Sequence, residues 1–91
     1  MKYTVKYTNK FKKDLKLATR QNKNIDLLFA VIKKLANGEK LEPKYKDHLL
    51  TNNGNLWDCH IEPDWVLLYE YVEDVLVLLL QRIGSHSDLK L

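Results

Sequence analysis

Residues 2–8 alternate: Tyr3, Val5 and Tyr7 fall on one side, and Lys2, Thr4 and Lys6 on the other, the pattern of a half-buried strand. Thr8 or Asn9 can then cap a helix by accepting a hydrogen bond from a free main-chain N–H. Across residues 10–20, Phe11, Leu15 and Ala18 recur at helical spacing, and Lys10, Lys12, Lys13, Lys16 and Arg20 cover much of the remaining surface. Residues 21–24 are polar and read as a turn. Ile25, Leu28, Phe29, Ile32, Leu35 and Ala36 follow the i, i+3, i+4, i+7 spacing of a second, amphipathic helix. Asn37-Gly38 ends it, because glycine enters the left-handed conformation without a steric penalty.

Residues 39–55 show no clean period and read as one long loop, a length that in a small domain usually serves a function. Three strands follow, over residues 56–62, 65–72 and 75–82, with Pro63-Asp64 and Glu73-Asp74 as the turns between them. The run Val75 to Leu80 has no polar alternation, which places its strand centrally with at least one covered face. Gly84 breaks the pattern, and SHSDLKL is a short tail. The order β-α-α-β-β-β predicts an α+β fold: an antiparallel sheet with two helices packed on one face.

Ninety-one residues, 45% of them hydrophobic and 30% charged, suit one soluble domain spanning 1–91. No apolar run approaches the ~18 residues that a membrane helix needs. The opening MKYTVKYTNK has no signal-peptide apolar stretch. A single cysteine, Cys59, excludes an internal disulfide framework and fits a reducing cytoplasm. Residues 1–46 carry 13 Lys and Arg against 4 Asp and Glu, a balance of +9; residues 47–91 carry 2 against 8, a balance of −6. The basic half would attract a polyanion such as nucleic acid, or an acidic protein; a solvated, lysine-rich helix face explains it equally.

Each of the three histidines falls where a predicted strand gives way to loop, which is where a scaffold presents functional groups. His48 lies in YKDH, His60 in DCHIEPDW and His86 in GSH. Such a set can cleave RNA without a cofactor. The 2′-hydroxyl attacks the adjacent phosphate, one group removes its proton, and another protonates the departing 5′-oxygen. Histidine suits both tasks, with an unperturbed pKa of ~6.5. A cation such as Lys or Arg stabilises the phosphorane oxygens. Asp64 can hold an imidazole in one tautomer. Trp65 or Tyr45 can stack on a splayed base.

A metal site is the weaker reading: there is no HxH or HxxxH pair, and it would have to be assembled from separate segments. Cys59 and His60 are strand neighbours and point to opposite faces, so Cys59 fills the core while His60 faces out. Gly38, Gly54 and Gly84 are isolated and make no phosphate-binding loop.

YKDHLL, DCHIEPDWVLLYEY and RIGSHSDL, in that order and with FKKDLKLA before them, resemble the YafQ branch of the RelE superfamily of bacterial toxins over nearly the whole chain. The resemblance implies a ribosome-dependent mRNA endonuclease of a type II toxin–antitoxin pair. It implies catalytic residues His48, His60, Asp64 and His86, with Trp65 as the aromatic neighbour of the aspartate. Substrate contacts would come from Trp65, Tyr45, Lys46, Arg82 and Lys90. Lys10, Lys12, Lys13, Lys16 and Arg20 would meet 16S rRNA phosphates on the ribosome. No cofactor or metal is expected, and no membrane partner. The free toxin is expected as a monomer, and as a hetero-oligomer with its cognate antitoxin.

Two positions depart from the family pattern. Lys90 stands where an aromatic is frequent, and Trp57 where some members have Arg. The few cations near the motifs (Lys44, Lys46, Arg82, Lys90) suggest that the ribosome helps to organise the site. Two other functions suit such a chain: a toxin of the same fold that inhibits a protein target such as gyrase, and a non-catalytic basic nucleic-acid-binding domain.

Overall fold

The computed structural model describes residues 1–50 and 54–91. In chain order it forms β1 (Thr4–Tyr7), α1 (Asn9–Arg20), α2 (Ile25–Ala36), a 3-10 turn (Pro43–Tyr45), β2 (His48–Leu49), β3 (Trp57–Glu62), β4 (Trp65–Val72), a second 3-10 turn (Glu73–Val75), β5 (Val77–Gly84) and α3 (His86–Leu89). Capping side chains set both long helices. Thr8 Oγ1 accepts from Phe11 N at 3.0 Å, and Asn24 Oδ1 accepts from Leu27 N at 3.0 Å. Gly38 takes a φ of +75° just past α2, as its position predicts.

The five strands make one sheet in the order β1-β5-β4-β3-β2. Neighbours from β2 to β5 are antiparallel, but β1 pairs parallel to β5, Thr4 opposite Val77 and Tyr7 opposite Leu80. The sheet is therefore mixed, not wholly antiparallel as the element order suggests. The cause is topological: β1 and β5 are joined by a long crossover through both helices, and such a connection permits parallel pairing. β5 is an interior strand, as its unbroken apolar run predicts.

One sheet face and the two helices share the core. Phe11 and Ala18 of α1 and Leu28, Val31, Ile32, Leu35 and Ala36 of α2 pack with Cys59, Ile61, Leu67, Tyr69, Leu78 and Leu80. Fully burying a side chain of this size contributes about 1.5–3 kcal/mol. In α2, Val31 takes a core place and Phe29 is 39% exposed, because the buried arc centres on residues 28, 32 and 35. Beyond the end of β1, α1 runs beside β5. Thr8 Oγ1 donates to Gln81 O at 2.7 Å, and Asp14 Oδ2 accepts the main-chain N–H of Ile83 at 3.1 Å. The helix thereby satisfies strand-edge groups that β1 is too short to reach.

Three segments differ from the expected boundaries. The stretch 39–55 contains the first 3-10 turn and β2; residues 51–53 of that expected loop lie outside the described residues. β5 starts at Val77, because residues 73–75 coil into a 3-10 turn and Leu76 takes a φ of +49°. The expected tail holds α3, nucleated by a capping box. Ser85 Oγ accepts from Asp88 N at 3.0 Å, and Asp88 Oδ2 accepts from Ser85 N at 3.4 Å.

Candidate active site

Strand alternation and register place His48 and His60 on the sheet face opposite the core side chains Cys59 and Ile61. His48 pairs with Asp58, Asp58 with Leu68, and Leu68 with Arg82; in the next row His60 pairs with Val66, and Val66 with Gly84. Directly paired residues share a face. Gly84 lets α3 lie close: a Cβ there would come within 3.3 Å of the Asp88 Cβ. His86 is the first residue of α3 and so stands at the same end of the sheet as His60.

The best-defined interaction is between Asp64 and His86. Asp64 Oδ1 accepts from the His86 main-chain N–H at 3.0 Å and from its ring Nδ1 at 2.7 Å. One carboxylate oxygen thus caps the helix start and fixes the imidazole tautomer, leaving Nε2 free. These two bonds hold the Asp64 carboxyl below the usual carboxylate range. The His60 ring meets the His86 ring edge-on, with centroids 4.9 Å apart. Burial pushes the His60 imidazole below its ordinary pKa, against an opposing pull from Asp58. His48 donates from Nδ1 to Lys46 O at 2.7 Å, and the same nitrogen lies 3.3 Å from Asp58 Oδ1.

His60 and His86 border a cleft of about 590 Å³ together with Tyr45, Lys44, Lys46 and Leu27. The two lysines bring positive charge to the rim, and the imidazoles offer a proton acceptor or donor. That combination suits an anionic substrate undergoing proton transfer.

Other expected site residues are used differently. Trp65 is 3% exposed and belongs to the core, so its ring is closed to a base. Tyr45 borders the cleft but is only 7% exposed, with the Lys44 ammonium 5.2 Å from its ring centroid. Arg82 is bound by Asp14 through two bonds, Nε to Oδ2 at 2.7 Å and Nη2 to Oδ1 at 3.1 Å, and does not border the histidine cleft. Its guanidinium is paired with a helix carboxylate and braces α1 against β5. Lys90 follows α3 in a left-handed conformation, φ +58°. Lys10, Lys12, Lys13, Lys16 and Arg20 are all exposed on α1. Cys59 is fully buried and its thiol pKa is pushed up by that burial, as suits a core residue.

Two carboxylates escaped the sequence reading. Asp58 and His60 are two apart on a strand and so share a face, a signal that was present in DCH. Asp47 accepts a hydrogen bond from the Tyr69 hydroxyl beneath the sheet, and no local pattern announces that pairing. Among the described residues, no three of His, Cys, Asp and Glu come together in an arrangement that could hold a metal ion. Among the described residues, no helix is long and apolar enough to cross a membrane.

A family model described as the bacterial toxin of type II toxin–antitoxin systems, YafQ, matches residues 3–91. An mRNA interferase toxin YafQ of Escherichia coli (strain B / BL21-DE3) is 34% identical over 87 residues, covering 93% of this chain and 92% of that protein. The crystal structure of the E. coli DinJ-YafQ complex contains a chain of the same fold, with a TM-score of 0.88 and 34% identity over 96% of this chain and 97% of that one. A metal-bound toxin from Helicobacter pylori is similar at a TM-score of 0.92 and 39% identity, over 96% and 98% of the two chains. The shared sequence motifs and the shared fold lead to one assignment: the chain belongs to the YafQ family of bacterial toxins of type II toxin–antitoxin systems.

Proposed function

We propose that this toxin is an endoribonuclease that cleaves mRNA on the ribosome by histidine acid–base chemistry, without a metal, and is held inactive by a cognate antitoxin. The carrying observation is the Asp64–His86 pair set 4.9 Å, ring to ring, from His60 in one lysine-rimmed cleft. The relatives named mRNA interferase toxin YafQ and the DinJ-YafQ complex support the substrate and the partner class.

In this reaction one imidazole takes the proton of an mRNA 2′-hydroxyl. The oxygen attacks the adjacent phosphorus, the bond to the 5′-oxygen breaks, and a second, protonated imidazole supplies that oxygen with a proton. The products are a 2′,3′-cyclic phosphate and a 5′-hydroxyl. Asp64 keeps the His86 ring in one tautomer and one orientation. Lys44 and Lys46 face the charge that develops on the phosphorane. DNA has no 2′-hydroxyl, so the chemistry selects RNA. Primer extension on mRNA from cells expressing the toxin tests the reading: discrete breaks within translated frames are expected. Growth arrest with intact mRNA and inhibited gyrase would overturn it.

No step needs a bound cation, so cleavage is expected to survive a chelator that removes Zn²⁺ and Mn²⁺ while Mg²⁺ keeps the ribosome assembled. Activity lost on chelation and restored by Zn²⁺ or Mn²⁺ would refute the metal-free mechanism.

The lysines of α1 have a separate task in this proposal, which is to place the toxin on 16S rRNA phosphates. Phosphate contacts position a protein through charge and weaken steeply with salt. Replacing Lys12, Lys13 and Lys16 by Gln is expected to weaken ribosome binding and flatten its salt dependence, with a much smaller change in cleavage at saturating toxin. A ribosome-binding titration across salt concentrations checks it; an unchanged affinity and slope would mean that these side chains only solubilise the helix.

A further inference from the structure

Asp58 is the one charged residue buried among the described residues, at 4% exposure, and its Oδ1 makes no hydrogen bond. An isolated buried carboxylate is costly unless a cation or a donor compensates it. The surroundings supply two candidates. His48 lies directly across the β2–β3 ladder, with Nδ1 3.3 Å from Oδ1. His60 lies two residues along β3 on the same face, with Nε2 3.9 Å from the same oxygen. Both distances exceed a good charge-assisted hydrogen bond, and the His48 Nδ1 is engaged by Lys46 O at 2.7 Å in this arrangement, so a bond to Asp58 requires that ring to exchange partners.

The three histidines therefore divide into two sets. His86 has its own carboxylate, Asp64, at an exposed turn. His48 and His60 have one carboxylate between them, and it is buried. The other ionisable groups acting on this second set are Lys46 and His86, which oppose protonation of His60, and Asp47, whose half-buried carboxyl stands near both His48 and Asp58. Asp47 has a partner of its own in the Tyr69 hydroxyl. Asp58 has none.

We propose that Asp58 is a positioning residue of the cleavage reaction: its buried Oδ1 holds His48 and His60 as a pair that shares one proton, and stabilises whichever imidazole of the two takes up a proton during the reaction. The proposal rests on the endoribonuclease reading above. The proton moves from the mRNA 2′-hydroxyl or from solvent to an imidazole nitrogen, and Asp58 itself exchanges no proton with the substrate. The orphaned oxygen is then a feature of the resting state, and it acquires a hydrogen bond when an imidazolium forms beside it. Buried polar groups without a partner are rare enough to call for such a cause.

The test uses the full chain and the isosteric variant Asp58→Asn. Two quantities are measured: the imidazole titrations of His48, His60 and His86 by NMR, and single-turnover cleavage of ribosome-bound mRNA across pH. In the variant, His48 and His60 are expected to titrate about one pH unit lower, the effect of losing a nearby anion, while His86 stays where it was. Cleavage is expected to fall at least tenfold, with its pH profile displaced in the same direction. A merely structural aspartate would leave cleavage by the folded variant and its pH profile in place.

The variant His60→Gln gives an independent readout if Asp58→Asn does not fold. With one imidazole gone, His48 is expected to titrate higher, having the carboxylate to itself. Unmoved titrations of His48 and His60, or cleavage within twofold of wild type, would overturn the proposal. Wild-type toxin that leaves ribosome-bound mRNA intact would overturn the nuclease reading and the reaction role with it; the titrations would still report whether the carboxylate is shared.

Discussion

His86→Ala is expected to reduce single-turnover cleavage of ribosome-bound mRNA by about 10²–10⁴-fold, the usual contribution of a general acid or base. The fold should survive, because the bond that anchors α3 to Asp64 uses the His86 main-chain N–H, which alanine retains. Only the ring bond to Asp64 and the edge contact with His60 are lost. The position is half-buried and loses one ring hydrogen bond, so the expected stability cost is about 1 kcal/mol. His60→Ala should lower cleavage in the same range. Unchanged cleavage in both variants, with ribosome binding intact, would exclude imidazole acid–base catalysis at this cleft.

Trp65→Ala is expected to act through folding. The side chain is 3% exposed inside the core, and removing a buried tryptophan costs about 3–5 kcal/mol. Small domains have about 5–15 kcal/mol in total, so this single change removes a large share. For a chain of this size it corresponds to a fall in Tm of more than about ten degrees. Trp65→Phe should keep most of the packing and cleave at a rate near that of wild type. Thermal melts paired with cleavage assays separate the two accounts: a Trp65→Ala protein that melts like wild type but no longer cuts would return the indole to the substrate.

The aromatic beside the aspartate illustrates where the sequence is legible and where it is not. Residues 65–72 form β4 and residues 25–36 form α2 with the expected limits, because apolar period and end signals agree there. Trp65 was read by its neighbours in sequence, whereas its exposure depends on which strand face meets the helices. The Asp64–His86 bond joins residues 22 positions apart and became visible only when the β4–β5 ladder brought the strand ends together. β2 is two residues long and carries no period. α3 is almost as short, yet SHSD is a capping-box signature and was readable. The direction of β1 lies in no local pattern, since Thr4 finds its partner at Val77.

That last pairing bears on the order in which the molecule assembles. The β3–β4–β5 meander closes through short turns and can form early. β1 must wait for a strand more than seventy positions away, and long closures of this kind slow folding. During synthesis, the apolar faces of α1 and α2 emerge first and have no sheet to cover. Their partners Leu78 and Leu80 leave the ribosome later, followed at once by His86. Core closure and delivery of His86 to Asp64 therefore coincide, and a nascent chain lacks its complete histidine cleft until residues 78–86 have emerged. The topology gives the protein a kinetic delay between being made and being able to act.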